Sequence, residues 1–366
     1  MRLKPALPSL ALILIPCVFA CFSAESPTSD VVVTTAGLCS IPQSEIFDGG
    51  PGKDGIPALN DAELVDAQST ELGFLTPTSR VIGLIVEGQP IAVPLNVGWW
   101  HEIINLDYQG RTLAITHCPL TGSSLAFDRN VIGGATFGVS GLLYRNNLIM
   151  YDRTTLESFW PQMARAARCG ARDGTALTMH PVIEMTWAGW SALYHNTLVV
   201  AGDARLDRNY ELYPYGSYDQ LDNESLLFPI PDVDRRRPLK ERVLGIPTVG
   251  TDGVAFPFEA LEDLGDVAVV TYQPTGAEAI VVLWNGFSRA AAAFRPNVDG
   301  VRLDLAVDGA FIVDAQTGSH WSVDGMSRSG ELSGKRLEPI NEAYVAYWFA
   351  WASFNPNATL WTAISP

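Results

Sequence analysis

The stretch Val81-Ile82-Gly83-Leu84 recurs 162 residues later in the chain as Val243-Leu244-Gly245-Ile246. The stretch Trp187-Ala188-Gly189-Trp190 recurs in the same way, 161 residues later, as Trp348-Phe349-Ala350-Trp351. Similarity at one nearly constant spacing is typical of a repeated structural unit. The sequence therefore predicts a duplicated domain. Further anchors recur at the same spacing: Asp152 and Asp314, Trp160 and Trp321, Leu177 and Leu337.

Each copy is predicted to be rich in β-strands. The first copy opens with a hairpin formed by Val81–Val86 and Ile91–Leu95. It ends with a helix around Thr186–Tyr194 and a strand at Leu198–Val200, and two tryptophans three residues apart share one helical face, which suits packing into a core. Four strand-like segments lie between these ends: Arg111–His117, Ser124–Asp128, Thr136–Val139 and Leu148–Tyr151. The predicted fold class is α+β and predominantly β, with two tandem duplicated β-rich domains that each end in a Trp-x-x-Trp helix.

The predicted organisation divides the chain into five ranges. They are a signal peptide (1–20), a tether and N-terminal loop segment (21–75), repeat copy one (76–202), a charged linker (203–242) and repeat copy two (243–366). The linker contains Arg235-Arg236-Arg237. Three adjacent arginines in an acidic protein are expected to pair with carboxylates rather than to bind a polyanion.

The N-terminus has the pattern of an export signal. Basic residues precede the apolar stretch Leu10–Ile15, which is too short to span a bilayer. Val18-Phe19-Ala20-Cys21 resembles the lipoprotein box of bacteria, although Phe19 stands where a small residue is usual. The sequence thus predicts an exported lipoprotein, periplasm-facing or at the cell surface, whose partner is the lipid bilayer through acylation of Cys21. An ordinary signal peptide cut near Ala24 is the alternative.

The balance of charge excludes one class of partner. The chain has 24 basic and 40 acidic residues, which give a formal net charge of −16. Such a chain repels the phosphates of nucleic acid, so nucleic acid is not expected as a partner. Five cysteines in 366 residues are also too few for a disulfide scaffold.

Copy one contains nitrogen and sulfur donors that copy two lacks. By sequence, Thr116-His117-Cys118-Pro119 aligns with Thr271-Tyr272-Gln273-Pro274, and His101 falls in a stretch that is absent from copy two. Imidazole and thiolate are ligands that Zn(II) and copper prefer. Neighbouring residues of a strand point to opposite faces, so His101 with Cys118 is the favoured pair. The candidate ligands for Zn or Cu are His101, His117, Cys118 and Cys169.

The same thiols allow other interpretations. In an oxidising compartment Cys118 and Cys169 could form a disulfide, or Cys169 could join Cys39. Cys118 could also be the nucleophile or redox thiol of an enzyme, with a neighbouring histidine as the base. A structural or interaction protein of the cell envelope is a third alternative. The leading prediction is an envelope lipoprotein that acts as a ligand- or soft-metal-binding module, with its site in copy one.

Three further polar residues of copy one are candidates for ligand binding. Arg145 and Arg153 could hold a carboxylate or phosphate through paired N–H donors, with Asp152 beside them. The alternative is that these residues form ion pairs within the fold.

Seven motifs run along the chain from about residue 45 to 362: Asp48–Pro57, Cys118–Ser123, Phe137–Tyr144, Met150–Arg153, Tyr213–Gly216, Lys240–Gly245 and Trp348–Trp351. Together these motifs resemble one bacterial family, the domain of unknown function 3179. The resemblance implies an exported or lipid-anchored bacterial protein, and the family has no established activity to carry over. Many members have C-P-L-C where this chain has Cys118-Pro119-Leu120-Thr121, so a mechanism that needs two thiols in this motif is in doubt here.

Overall fold

The computed structural model describes residues 39–60, 62–249 and 252–363. Strands make up 41% of the described residues and helical segments 13%, which confirms an α+β fold that is predominantly β. Within the described ranges, no helix has the length and apolar character needed to cross a membrane. The predicted signal peptide (1–20) and the predicted acylation site Cys21 lie outside the described residues.

The described residues of the first half form fifteen strands and two α-helices, with short 3-10 turns between them. The strands are β1 (Ile46–Asp48), β2 (Leu59–Asn60), β3 (Leu64–Asp66), β4 (Arg80–Val86), β5 (Gln89–Pro94), β6 (Ile103–Tyr108), β7 (Arg111–Cys118), β8 (Ser123–Asp128), β9 (Phe137–Tyr144), β10 (Asn147–Asp152), β11 (Ser158–Pro161), β12 (Cys169–Gly170), β13 (Met179–His180), β14 (Ile183–Thr186) and β15 (Leu198–Val200). The helices are α1 (Leu95–His101) and α2 (Trp187–Leu193).

In the second half, the part of the chain that the structure describes forms fourteen strands and two α-helices. The strands are β16 (Arg242–Val249), β17 (Asp252–Pro257), β18 (Val267–Tyr272), β19 (Ile280–Asn285), β20 (Ala290–Arg295), β21 (Asn297–Val298), β22 (Val301–Arg302), β23 (Leu305–Asp308), β24 (Phe311–Asp314), β25 (His320–Trp321), β26 (Ser327–Ser329), β27 (Glu338–Pro339), β28 (Tyr344–Tyr347) and β29 (Thr359–Leu360). The helices are α3 (Phe258–Glu262) and α4 (Trp348–Phe354).

The strand orders of the two halves correspond sheet by sheet. The order β14-β4-β5-β15 in the first half matches β28-β16-β17-β29 in the second. In the same way β6-β7-β8-β13 matches β18-β19-β20-β27, and β9-β10-β11-β12 matches β23-β24-β25-β26. Strands β1, β2 and β3 add an edge strand to each sheet of the first half. The common origin of the two halves stays a prediction, but their architecture follows one plan.

The glycines of the two repeated stretches let a tryptophan pack flat on a strand. Gly83 in β4 lies against the indole of Trp190, and Gly245 in β16 lies against the indole of Trp351. A Cβ atom on either glycine would overlap the ring, so only glycine fits at these positions. This close approach explains why the glycine and the Trp-x-x-Trp helix recur together.

Each Trp-x-x-Trp helix packs partly against the opposite half. Trp190 of α2 belongs to a core cluster that includes Leu283 and Trp321 of the second half. Trp351 of α4 belongs to a cluster that includes Leu125 and Trp160 of the first half. The ranges 76–202 and 243–366 therefore share their cores, and the described residues form one compact unit.

Matching backbone hydrogen bonds join the halves at the start of both helices. The Thr186 N–H donates to the Ser288 carbonyl at 2.9 Å, and the Tyr347 N–H donates to the Thr121 carbonyl at 2.8 Å. Thr121 follows β7 by the same number of residues as Ser288 follows β19. These bonds fix which residues of the two halves correspond.

The correspondence corrects the sequence alignment around Cys118. Cys118 ends β7 and pairs with Ser123 of β8, whereas Asn285 ends β19 and pairs with Ala290 of β20. The residue of the second half that corresponds to Cys118 is therefore Asn285. Gln273, its partner in the sequence alignment, follows the preceding strand β18. The alignment was wrong because two loops of different length were matched through a shared proline.

Candidate functional site

The predicted site residue Cys118 is enclosed in the core. Its side chain is fully buried, and its sulfur lies 3.6 Å from the Asn146 carbonyl oxygen. Burial and the nearby Glu102 carboxyl group raise the pKa of the Cys118 thiol to about 11. A thiol with this pKa is protonated at neutral pH, whereas nucleophilic attack needs the thiolate. The geometry does not favour the enzyme alternative.

His117 points away from Cys118 into a second buried network. Its Nδ1 lies 3.1 Å from the Ser124 hydroxyl, which donates to the Glu184 carboxylate at 2.8 Å. Burial lowers the pKa of His117 to about 4, so the ring is neutral. The same carboxylate accepts from Arg80 at 2.6 Å and from Arg242 at 2.9 Å. This network joins the two halves and gives His117 a structural role.

His101 lies at the end of α1 with both ring nitrogens in contact with oxygen atoms. Nδ1 is 2.8 Å from the Pro57 carbonyl, and Nε2 is 2.7 Å from the Tyr210 hydroxyl. Burial lowers the pKa of this imidazole. Within residues 39–60, 62–249 and 252–363, no group of three or more His, Cys, Asp and Glu side chains could hold a metal ion.

Cys169 is bonded to Cys39 and not to Cys118, which is a free thiol. The predicted Cys118–Cys169 disulfide is therefore wrong, and the alternative pairing of Cys169 with Cys39 is the one that forms. The reason is topological. Cys169 lies in β12 at the edge of its sheet, and Cys39 forms a β-bridge with it, whereas Cys118 ends β7 in a different sheet. With Cys169 in a disulfide, the predicted soft-metal set loses one of its two thiols.

The predicted ligand-binding residues of copy one form internal contacts. Arg145 contacts Glu45 at 3.1 Å, and Arg153 contacts Asp54 at 2.7 Å. Asp152 is fully buried and accepts hydrogen bonds from the Trp160 indole at 2.8 Å and from the Ser158 N–H at 3.1 Å. Asp314 holds Trp321 in the same way in the second half, at 3.0 Å. These contacts are of the kind that the ion-pair alternative predicts, and ligand binding by these residues stays a prediction.

A cavity of about 240 Å³ lies between sheets of the two halves. Its wall is mostly apolar, with Leu84 and Ile183 from the first half and Leu244, Ala292 and Phe294 from the second. Apolar clefts with a few polar groups at one end are typical of small-molecule sites.

The polar end of this cavity is formed by Tyr194, Asp324 and Arg336. The Tyr194 hydroxyl donates to the Asp324 carboxylate and accepts from the Arg336 guanidinium at 2.7 Å. Arg328 donates to the same carboxylate at 2.8 Å. Two guanidinium groups thus surround the Asp324 carboxylate, and Arg336 is the one that lines the cavity.

The protonation states at this end follow from burial and from the neighbouring charges. Burial and the Asp324 carboxylate raise the pKa of Tyr194 to about 12, so the phenol stays neutral. Burial by itself opposes ionisation of Asp324, but Arg328 and hydrogen bonds from Ser322 and Tyr194 outweigh it and lower the pKa of that carboxyl group. The carboxylate is therefore charged at neutral pH.

The polar group of the cavity combines Tyr194 of the first half with Asp324 and Arg336 of the second, and it is not repeated at the corresponding positions of the opposite halves. An isolated β-bridge pairs Arg336 with Met326, which lies two residues after Asp324. The equivalent bridge of the first half pairs Ala176 with Ala166, two residues after Ala164. Arg336 therefore corresponds to Ala176, and Asp324 corresponds to Ala164. Tyr194 directly follows α2, whereas the residue after α4 is an asparagine. Polar residues that one half has and the other lacks are the better functional candidates, and by this comparison they are the cavity residues.

Sequence reasoning missed this site although the signal was present. The anchor Leu177 and Leu337 aligns the residues that precede them, Ala176 and Arg336. That alignment exposes a charged residue that only one half carries.

The comparison with known families fits the motifs of the chain. A family described as protein of unknown function (DUF3179) matches residues 53–358. The chain belongs to this family. Its match covers both halves, so the repeated architecture lies within the family region. No curated protein and no solved structure is significantly similar to the chain.

Proposed function

We propose that this member of the family is an exported, lipid-anchored protein that binds a small, largely apolar ligand with a carboxylate group. The proposed activity is ligand binding, as predicted from the sequence, but the proposed binding site is the cavity between the halves and not the surroundings of Cys118. The observation that carries the proposal is the polar group of Tyr194, Asp324 and Arg336 at the end of an apolar cavity, a group that is not repeated at the corresponding positions of the opposite halves.

The size of the cavity limits the ligand. An engineered apolar cavity of about 150 Å³ accommodates benzene, which corresponds to about 25 Å³ for each carbon atom. At that ratio, 240 Å³ accommodates a molecule of about ten non-hydrogen atoms. A benzoate or a six-carbon fatty acid is of this size.

The charge of the cavity selects the polar group of the ligand. A guanidinium carries five N–H donors. The described bonds of Arg336 to the Asp324 carbonyl oxygen and to the Tyr194 hydroxyl use two of its nitrogen atoms, and its side chain is 32% exposed. Hydrogen bonds between a guanidinium and a carboxylate are among the stronger ones in proteins, so an anionic end is favoured over a neutral one.

Calorimetric titration with matched carboxylates and amides tests the proposal. Benzoate and hexanoate are expected to bind the purified chain, and benzamide and hexanamide at least tenfold more weakly. Arg336→Gln should weaken carboxylate binding at least tenfold, and Ala292→Leu should weaken it by filling the cavity. Arg302→Gln is the control, because Arg302 is exposed and does not line the cavity.

Two results would overturn the proposal. One is that no carboxylate binds at millimolar concentration. The other is that Arg336→Gln and Arg302→Gln bind alike while both retain the melting temperature of the parent chain.

Export and lipid anchoring are supported by separate observations. The Val18–Cys21 pattern supports acylation of Cys21. The Cys39–Cys169 disulfide supports an oxidising compartment such as the periplasm. Growth of the expressing bacterium with an alkyne-labelled fatty acid should label the parent chain and leave Cys21→Ser unlabelled. Equal labelling of both, or of neither, argues for the ordinary signal peptide cut near Ala24.

A further inference from the structure

A groove in the first half is covered by a segment of the chain itself. Residues 213–239 cross this groove, which lies between α4 and the end of β7. The Tyr218 hydroxyl donates to the Leu120 carbonyl at 3.1 Å, and the Trp348 indole donates to the Asp234 carbonyl at 3.1 Å. Under this cover Leu120 is only 5% exposed. We call residues 213–239 the cover segment.

The cover segment is held by backbone as well as side-chain contacts. The Asn146 side-chain amide donates to the Phe228 carbonyl at 2.7 Å, and its oxygen accepts from the Phe228 N–H at 2.9 Å. Tyr213 and Ile230 add apolar contact to the same core cluster. The first half thus shows which kind of segment this groove binds.

The equivalent groove of the second half is uncovered. It lies between α2 and the end of β19, and its volume is about 560 Å³. Phe287 stands two residues after Asn285, as Leu120 stands two residues after Cys118, yet Phe287 is 74% exposed. Phe311 on the other side of the groove is 56% exposed. Large aromatic side chains exposed together in a groove mark an interaction surface.

The charge of the open groove complements the composition of the cover segment. Among the described residues that line the groove, the ionisable ones are His320 and Arg328, and there is no Asp or Glu. This is notable in a chain with 40 acidic residues. The cover segment has five acidic and three basic residues as well as four aromatic ones.

We propose that the groove between α2 and the end of β19 docks an extended, acidic segment of a partner polypeptide that carries aromatic side chains. The aromatic rings of the partner pack on Phe287 and Phe311, and its acidic groups face His320 and Arg328. This interaction goes beyond small-ligand binding and uses a groove that shares no lining residue with the cavity, although Arg328 of the groove contacts Asp324 of the cavity.

A synthetic peptide with the sequence of the cover segment is the probe. The peptide carries a fluorescent label and is titrated with the full chain while the fluorescence anisotropy is measured. Phe287→Ser should weaken its binding at least tenfold, because a well-packed aromatic contact at an interface is worth more than about 1.4 kcal/mol. Leu264→Ser is the matched control, since Leu264 is 45% exposed and lies outside the groove.

A second peptide tests the charge. Replacement of its five acidic residues by the corresponding amides should weaken binding severalfold and reduce its dependence on salt. Both serine variants change exposed side chains, so their melting temperatures should equal that of the parent chain. Hexanoate binding should also be the same in Phe287→Ser, which separates this test from the test of the cavity.

Three outcomes would overturn the proposal. They are no peptide binding at millimolar concentration, equal binding by Phe287→Ser and Leu264→Ser, and a dimer of the parent chain that Phe287→Ser dissociates. The last outcome would assign the groove to a second copy of the chain.

Discussion

Glu184 joins the two halves, and its replacement by glutamine tests how much this one charge contributes to stability. Its carboxylate is 1% exposed and contacts Arg80 and Arg242, which stand at equivalent positions of β4 and β16. Burial by itself would raise its pKa, but Arg242 and Arg80 outweigh burial and hold the pKa of Glu184 at about 2, compared with an ordinary value of 4.5.

The shift of the pKa sets the magnitude. A pKa of about 2 in place of 4.5 corresponds to about 3 kcal/mol of stability from the charged form. Because the pKa is lower in the folded chain, this contribution is fully present above about pH 4.5 and is lost as the pH falls through about 2. Glu184→Gln also leaves both buried guanidinium groups without their partner, which costs about 3–5 kcal/mol in comparable buried pairs.

Urea denaturation at pH 7 and at several values down to pH 2.5 measures this effect. We expect Glu184→Gln to lower the free energy of unfolding by about 3 kcal/mol or more at pH 7, and by less at pH 2.5. The control is Glu338→Gln, a 64% exposed carboxylate that contacts Arg295 at 3.3 Å, where the change should stay within about 0.5 kcal/mol. A loss below about 1 kcal/mol for Glu184→Gln, or a loss that is equal at both pH values, would refute the reasoning.

Two further predictions concern packing and the free thiol. Gly83→Ala and Gly245→Ala should each lower the free energy of unfolding by about 1–3 kcal/mol or more, because the new methyl group overlaps a buried indole. The control is Gly73→Ala in an open turn, which should change the free energy of unfolding by less than about 0.5 kcal/mol. Urea denaturation compares the three variants, and equal effects would contradict the described packing. Cys118 should resist iodoacetamide at pH 8 in the folded chain and react within minutes in urea, since burial raises the pKa of its thiol. Peptide mass spectrometry measures the label on Cys118. Fast labelling of the folded chain would contradict the enclosed position of this thiol.

Much of the fold could be predicted from local patterns. The helix around Thr186–Tyr194 and the strand Leu198–Val200 lie where the sequence indicates, because alternation and paired tryptophans act over a few residues. Helix α1 was not predicted, since its seven residues are buried on nearly all sides and include Gly98, so no amphipathic period marks it. Trp187 is half-buried while Trp190 is fully buried. The prediction that both tryptophans of this helix pack into the core is therefore confirmed in full for Trp190 only.

The candidate site was much harder to predict. Tyr194 meets Asp324 and Arg336 across 130 and 142 residues, and no local pattern links them. From the sequence, the cysteine pairing could only be reduced to two alternatives. The reason is that Cys39 and Cys169 are 130 residues apart along the chain and meet only through a β-bridge of the folded structure. The three arginines after residue 234 did pair with carboxylates, as short-range charge patterns indicate.

The sequence by itself predicted that one β-rich plan is used twice and that each copy ends in a Trp-x-x-Trp helix. These features depend on neighbours within a few residues and on similarity along the chain, both of which are visible in one dimension. Only the tertiary structure decided that the helices pack across the halves, that Glu184 holds an arginine from each, and that one groove is covered while its equivalent is open. Such contacts depend on which distant segments of the chain the sheets bring together, and that is a property of the whole fold.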